Sequence, residues 1–97
     1  MHIITRRRLR EFWENDSQSQ TVLDEWYRRL KRISAASLAE LHQTFPQADL
    51  VGRCTVFNVG GNKYRLITKI DFQRQTVYIK FVLTHAEYDK DKWKAVC

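Results

Sequence analysis

Thr55-Val56-Phe57-Asn58-Val59-Gly60-Gly61-Asn62-Lys63-Tyr64-Arg65-Leu66-Ile67 decides the fold, because two runs of β-branched and aromatic residues are split by a glycine pair. Such a pattern predicts an antiparallel hairpin. A two-residue loop at Gly60-Gly61 sets Val59 opposite Asn62, Asn58 opposite Lys63, Phe57 opposite Tyr64 and Val56 opposite Arg65. Register then assigns faces, since neighbouring residues of a strand point to opposite sides. Strands are expected at 53–59, 62–72 and 76–83, the last two joined around Gln73-Arg74-Gln75. One face carries Phe57, Val59, Tyr64, Leu66, Ile70 and Phe72, continued by Val77, Ile79, Phe81 and Leu83. The other carries Asn58, Lys63, Arg65, Ile67 and Lys69, with Tyr78, Lys80 and Val82 beside them.

Helical periodicity precedes this meander. His2-Ile3-Ile4 reads as a short strand, and Thr5 as the cap of a helix in which Leu9, Phe12 and Trp13 recur on one side among Arg6, Arg7, Arg8 and Arg10. Asn15 to Gln20 is polar and turn-prone. Thr21, with Asp24 three residues on, predicts the start of a second helix whose stripe is Val22, Leu23, Trp26, Tyr27, Leu30 and Ile33. Asp24, Glu25, Arg28, Arg29, Lys31 and Arg32 lie largely opposite, either as a solvated face or as a contact for RNA or protein. Ser37 opens a third helix that ends near Phe45, because Pro46 disfavours helical geometry in the residue before it. Residues 47–52 are expected as a connecting loop. Thr84 caps a final helical turn through Tyr88, with Trp93 as an anchor. The expected class is α+β, with N-terminal helices on one face of an antiparallel sheet and a short C-terminal helix.

The 97 residues, 43% hydrophobic and 29% charged, suit one globular domain spanning 1–97. No apolar run approaches the roughly 20 residues that cross a bilayer, and the start lacks a signal-peptide stretch. The cytoplasm is the expected address. Cys54 and Cys97 are the only cysteines, too few for a disulfide framework or a paired-cysteine zinc site, and free thiols are expected.

Seventeen Lys and Arg against eleven Asp and Glu leave a formal charge of +6, which draws the molecule toward polyanions. The polar sheet face gathers Asn58, Lys63, Arg65, Lys69, Tyr78 and Lys80. It offers cations for phosphates and a phenol for base stacking, although antiparallel sheets also have ordinary wet faces. His85 and Tyr88 follow, three apart and so on one side of a helical turn. An imidazole transfers protons near neutral pH, and a phenol serves once a cation lowers its pKa. Asp89 and Asp91 with Glu87 read as a solvated acidic tail rather than metal ligands, and no phosphate loop or dinucleotide fingerprint occurs. Any catalysis is expected to use neither metal nor cofactor. RNA can be cut this way, because its 2′-hydroxyl is a built-in nucleophile, given a proton acceptor, a proton donor and cations for the charge on phosphorus.

The segments Val56 to Leu66 and Val82-Leu83-Thr84-His85-Ala86-Glu87-Tyr88-Asp89 resemble the HigB family of toxin–antitoxin toxins. Met1-His2-Ile3-Ile4 and Thr44-Phe45-Pro46-Gln47-Ala48-Asp49 fit as well, so the likeness spans nearly the whole chain. The resemblance implies a RelE-like fold and an mRNA interferase, an endoribonuclease acting commonly on the translating ribosome. It also implies a HigA antitoxin of helix-turn-helix type. Arg65 matches the phosphate-stabilising arginine of RelE-like toxins, and Thr84 to Asp89, with His85 and Tyr88, sits where they keep C-terminal catalytic groups. Asn58, Asn62, Lys63, Lys69, Tyr78 and Lys80 are the expected RNA contacts. A non-catalytic RNA- or DNA-binding module, or a toxin of the same fold acting on DNA gyrase, are the competing readings.

Overall fold

The computed structural model describes all 97 residues, Met1–Cys97. In chain order these form β1 (His2–Ile4), α1 (Arg6–Asn15), α2 (Ser19–Arg32), α3 (Leu38–Thr44), β2 (Asp49–Val51), β3 (Cys54–Val59), β4 (Tyr64–Asp71), β5 (Thr76–Thr84) and α4 (His85–Asp89), with a closing 3-10 turn at Lys92–Val96. The class is α+β. The five strands lie in the order β1-β5-β4-β3-β2. The sheet is mixed rather than antiparallel as expected, because β1 runs parallel to β5 while the remaining pairs are antiparallel.

The β3–β4 turn holds four residues, not two. Gly60, Gly61 and Asn62 all adopt positive φ, a run that glycine and asparagine tolerate best. Val59 therefore pairs with Tyr64 and Asn58 with Arg65, a shift of two residues from the tight-hairpin register. An even shift preserves the pleat, so the faces stand as expected through β3 and β4. Phe57 and Leu66 join Leu9, Trp13, Leu23, Trp26 and Leu30 in one core, with Val59, Ile70 and Phe72 packed against it. Trp26 and Phe45 both meet Phe57 edge-on, at 5.2 and 5.3 Å between ring centres.

β5 departs from the expected alternation. Ile67 pairs with Phe81 and Thr68 with Ile79, leaving Lys80 as an extra residue. Such a bulge reverses every later side chain. Val77 and Ile79 enter the helix-side core, but after Lys80 it is Val82 that packs there, while Leu83 turns to the opposite face. The Arg8 guanidinium donates to the Lys80 carbonyl, giving the bulged backbone a partner from α1 (3.3 Å).

Two smaller expectations also change. Residues 49–51 form an edge strand rather than loop, since Asp49-Leu50-Val51 pair with Val56-Thr55-Cys54. α2 begins at Ser19, so Thr21 is inside the helix; Ser19 Oγ bonds the Asp16 carbonyl instead (2.6 Å). Ser37 and Thr84 do cap their helices, Thr84 in a reciprocal capping box with Glu87. The link between α2 and α3 is held by Gln75, whose amide accepts from Ala35 N–H and donates to the carbonyls of Ala35 and Phe72.

The cysteines are not free thiols. Cys54 in β3 and Cys97 form a disulfide, which sequence distance concealed because 43 positions separate them. Trp93 fills the sheet face away from α1 and α2, against Cys54, Val56 and Ile67, and that seat brings Cys97 to β3. The Cys97 carbonyl accepts from Arg53 N–H (2.7 Å), and a Cβ on Gly52 would collide with that same oxygen. Closing a loop of this length stabilises a small domain by about 2–4 kcal/mol. Reduction, or Cys97→Ser, is expected to lower the thermal midpoint by on the order of 10 °C, and thiol titration of the native protein should find none; equal melting with and without reductant would refute the link.

Tyr64 joins β4 to the helical layer, donating its hydroxyl to Asp16 Oδ1 (2.9 Å) and meeting Phe12 edge-on. Burial, then the hydrogen bond to Asp16 and the charge of Asp16, push the phenol above its ordinary value. A raised value means the folded state holds the proton more tightly than the unfolded chain. The associated stability is complete below about pH 10 and is lost as pH climbs through the folded value. Tyr64→Phe should cost about 1 kcal/mol at neutral pH and flatten the alkaline fall relative to the parent, read from urea melts between pH 7 and 11.

Candidate active site

Arg65 is the centre of a polar cluster at one end of the sheet. The pleat that buries Tyr64 and Leu66 turns Arg65 to the opposite face, and pairing with Asn58 across β3 sets a neutral acceptor beside it. Arg65 Nη1 donates to Asn58 Oδ1 (3.0 Å), to the Asn62 carbonyl (3.1 Å) and to the Tyr64 carbonyl (3.3 Å). Asn58 Nδ2 in turn donates to Asn62 Oδ1, tying turn and strand together. No carboxylate pairs with Arg65, whereas Arg6, Arg7, Arg28 and Arg74 each have one. Its charge is therefore held in position but not neutralised, the condition for binding an external anion.

α4 supplies the opposing wall. The Thr84 capping box starts the helix, and His85 N–H donates to the Lys63 carbonyl (3.0 Å), which docks α4 on the β3–β4 turn. His85 Nδ1 lies 3.4 Å from Arg65 Nη2, and Nε2 lies 3.3 Å from Asp89 Oδ2. One tautomer satisfies both contacts: Nε2–H donates to Asp89, leaving the Nδ1 lone pair toward the guanidinium. The Arg65 guanidinium carbon stands 5.0 Å from the centre of the Tyr88 ring. Tyr88 stacks on Trp93 at 4.9 Å and 14°, and Trp93 Nε1 donates to the Tyr88 carbonyl (2.9 Å).

Of the residues singled out from the sequence, Arg65, His85, Tyr88, Asn58 and Asn62 thus meet in one cluster. Lys63 lies in the turn, exposed, and contributes its carbonyl to α4. Lys69 and Tyr78 pair with one another at the other end of the sheet, and Lys80 Nζ lies over the Tyr78 ring at 5.7 Å. Four residues of strand separate Lys69 from Arg65, about 13 Å. Ile67, covered by Trp93, lies between them on that face. The single cationic row expected on the sheet is therefore two groups divided by an apolar bridge.

Asp89 belongs to the cluster although it read as part of an acidic tail. Its spacing of four from His85 on one helical turn was the available signal. Trp93 was expected only as an anchor, yet it also fixes the ring beneath Arg65. Tyr88→Phe keeps both ring contacts and should unfold within about 0.5 kcal/mol of the parent, while Tyr88→Ala loses the stack and should cost about 2 kcal/mol in urea melts.

Residues 19–91 match the HigB toxin family, described as the RelE-like toxic component of a toxin–antitoxin system. The chain is similar to the mRNA interferase toxin HigB of Escherichia coli K12, 34% identical over 92 residues, which span 92% of this chain and 88% of that protein. The mRNA interferase HigB of Shigella flexneri matches to the same extent. That of Escherichia coli O6:H1 is 31% identical over 93 residues, 93% of this chain and 90% of the relative.

Proposed function

The chain belongs to the HigB toxin family, RelE-like toxic components of toxin–antitoxin systems, and on that premise we propose that it is an endoribonuclease that cleaves messenger RNA by side-chain acid–base chemistry. The observation that carries this reading is Arg65, charged, unpaired by any carboxylate, and flanked within one cluster by an imidazole and a phenol. A scissile phosphate would rest on the free edge of the guanidinium, whose Nη1 is already engaged by Asn58 and two carbonyls. Attack by the 2′-oxygen on the adjacent phosphorus breaks the bond to the 5′-oxygen, leaving a 2′,3′-cyclic phosphate and a 5′-hydroxyl. When the phosphate takes the Arg65 Nη2–H now facing His85 Nδ1 (3.4 Å), that lone pair is released to accept the proton of the 2′-hydroxyl, with Asp89 orienting the ring and stabilising its positive charge. Tyr88, beside the guanidinium, delivers a proton to the departing 5′-oxygen. Arg65 counters the negative charge that grows on the phosphorane, where preorganised donors have their largest effect.

The finer reading follows the same family. The fold is RelE-like, the message is cut on the translating ribosome in the cytoplasm, and a HigA-type helix-turn-helix antitoxin restrains the toxin. Basic residues on the helices support a contact with ribosomal RNA: Arg10 and Arg32 are exposed and free of ion pairs, although Arg6 and Arg28 are shared with Asp24. Lys69, Tyr78 and Lys80 are suited to RNA flanking the cut rather than to the cut itself. No helix is long and apolar enough to cross a membrane.

Arg65→Ala should lower cleavage by about 10²–10³-fold and abolish growth arrest while the protein stays folded. His85→Ala should cost at least about 10²-fold. Induction in cells followed by mapping of 5′ ends, with the hydroxyl chemistry of those ends determined, reads both. Equal toxicity of Arg65→Ala and parent would end the nuclease reading, as would a purified protein that shifts RNA but never cuts it, with or without ribosomes.

A further inference from the structure

We infer that a groove around the open edge of β3 receives one nucleobase of the bound RNA, a subsite that rests on the nuclease reading and extends it. β2 pairs with β3 only as far as Val56, so the outer edge of Phe57-Asn58-Val59 has no strand partner. Two adjoining cavities open there, of about 310 and 140 Å³, and they share Arg29, Phe45 and Asn58. Asn58 also holds Arg65, so the groove begins one side chain away from the proposed phosphate position.

The lining suits a base. The Arg29 guanidinium lies over the Phe45 ring at 4.9 Å and is anchored by a bond to the Thr44 carbonyl (2.9 Å), so a flat cationic plate is held open to the groove. Single-stranded RNA is recognised by stacking unpaired bases on aromatic rings or guanidinium planes and by hydrogen bonds to their edges. The smaller cavity is lined by Trp26, only 2% exposed, whose indole N–H has no hydrogen-bond partner. A buried donor without an acceptor carries a desolvation penalty, which an acceptor atom of a base would relieve on reaching the indole N–H. Gln47 adds an amide, both donor and acceptor, on the rim of the larger cavity.

Mapping 5′ ends after inducing parent, Arg29→Ala, Trp26→Phe and Arg65→Ala tests the subsite separately from the chemistry. Arg29 is exposed, and Trp26→Phe keeps an aromatic ring in the core, so melting curves should establish that both variants fold; if Trp26→Phe does not, Arg29→Ala decides. The expected result is a fall of about fivefold or more in base preference at one position beside the cut in Arg29→Ala and Trp26→Phe, with cleavage lowered by about 10²–10³-fold in Arg65→Ala. Unchanged base preference in the folded groove variants, with Arg65→Ala impaired, overturns the subsite and leaves the nuclease standing. Cleavage by Arg65→Ala at the parent level overturns the nuclease reading itself. Groove variants that cut with parental preference yet escape neutralisation by co-expressed antitoxin would assign the groove to protein docking and overturn the subsite.

Discussion

The pleat of β4 governs this molecule. Tyr64 and Leu66 are driven to one side by burial against α1 and α2, so Arg65 between them has only the other side available. Nothing about the guanidinium itself chooses that location; the hydrophobic gain of its two neighbours does. A one-residue slip would bury the charge and expose the core, a penalty of several kcal/mol that no local contact could offset. The four-residue turn and the tight-hairpin alternative differ by two positions, and both keep Arg65 outside.

The second wall of the site depends on the opposite sheet face, which has its own small core. Cys54, Val56 and Ile67 offer an apolar patch that Trp93 covers, and the disulfide to Cys97 closes the segment over it. Trp93 then supports Tyr88, and the Tyr88 ring lies against Arg65. Stability and chemistry meet here, since the contact that seals the back of the sheet also fixes the ring beside the charge. The same packing splits the expected cationic row, because an apolar bridge cannot also be a phosphate path.

Neutral anchoring of Arg65 distinguishes it from the other paired arginines. Asn58 and the carbonyls of Asn62 and Tyr64 restrain its position without cancelling its charge, whereas a carboxylate in their place would compete with any incoming phosphate. Asp89 is close, but it faces the far nitrogen of His85. Charge is thereby distributed as a cation, an imidazole and a carboxylate in sequence, with the carboxylate kept behind the imidazole.

Local pattern determined a good deal of this protein. Four of the five strands, the stripes of α1 and α2, the caps at Ser37 and Thr84 and the faces of β3 and β4 were legible, because alternation and helical spacing are properties of neighbouring residues. Arg65, His85 and Tyr88 were singled out in the sequence, and the fold brings them into one cluster. What lay beyond reach depends on residues far apart in the chain. The Cys54–Cys97 bond, the parallel pairing of β1 with β5, the support of Tyr88 by the buried Trp93 and the cavity beneath Arg29 arise only when distant segments pack. The bulge at Lys80 is of the same kind: it falls where β5 pairs Phe81 with Ile67 and the Lys80 carbonyl accepts from Arg8 of α1. Short-range order follows from backbone geometry and burial, but long-range juxtaposition follows from closing the whole surface at once, and that closure assembled the site.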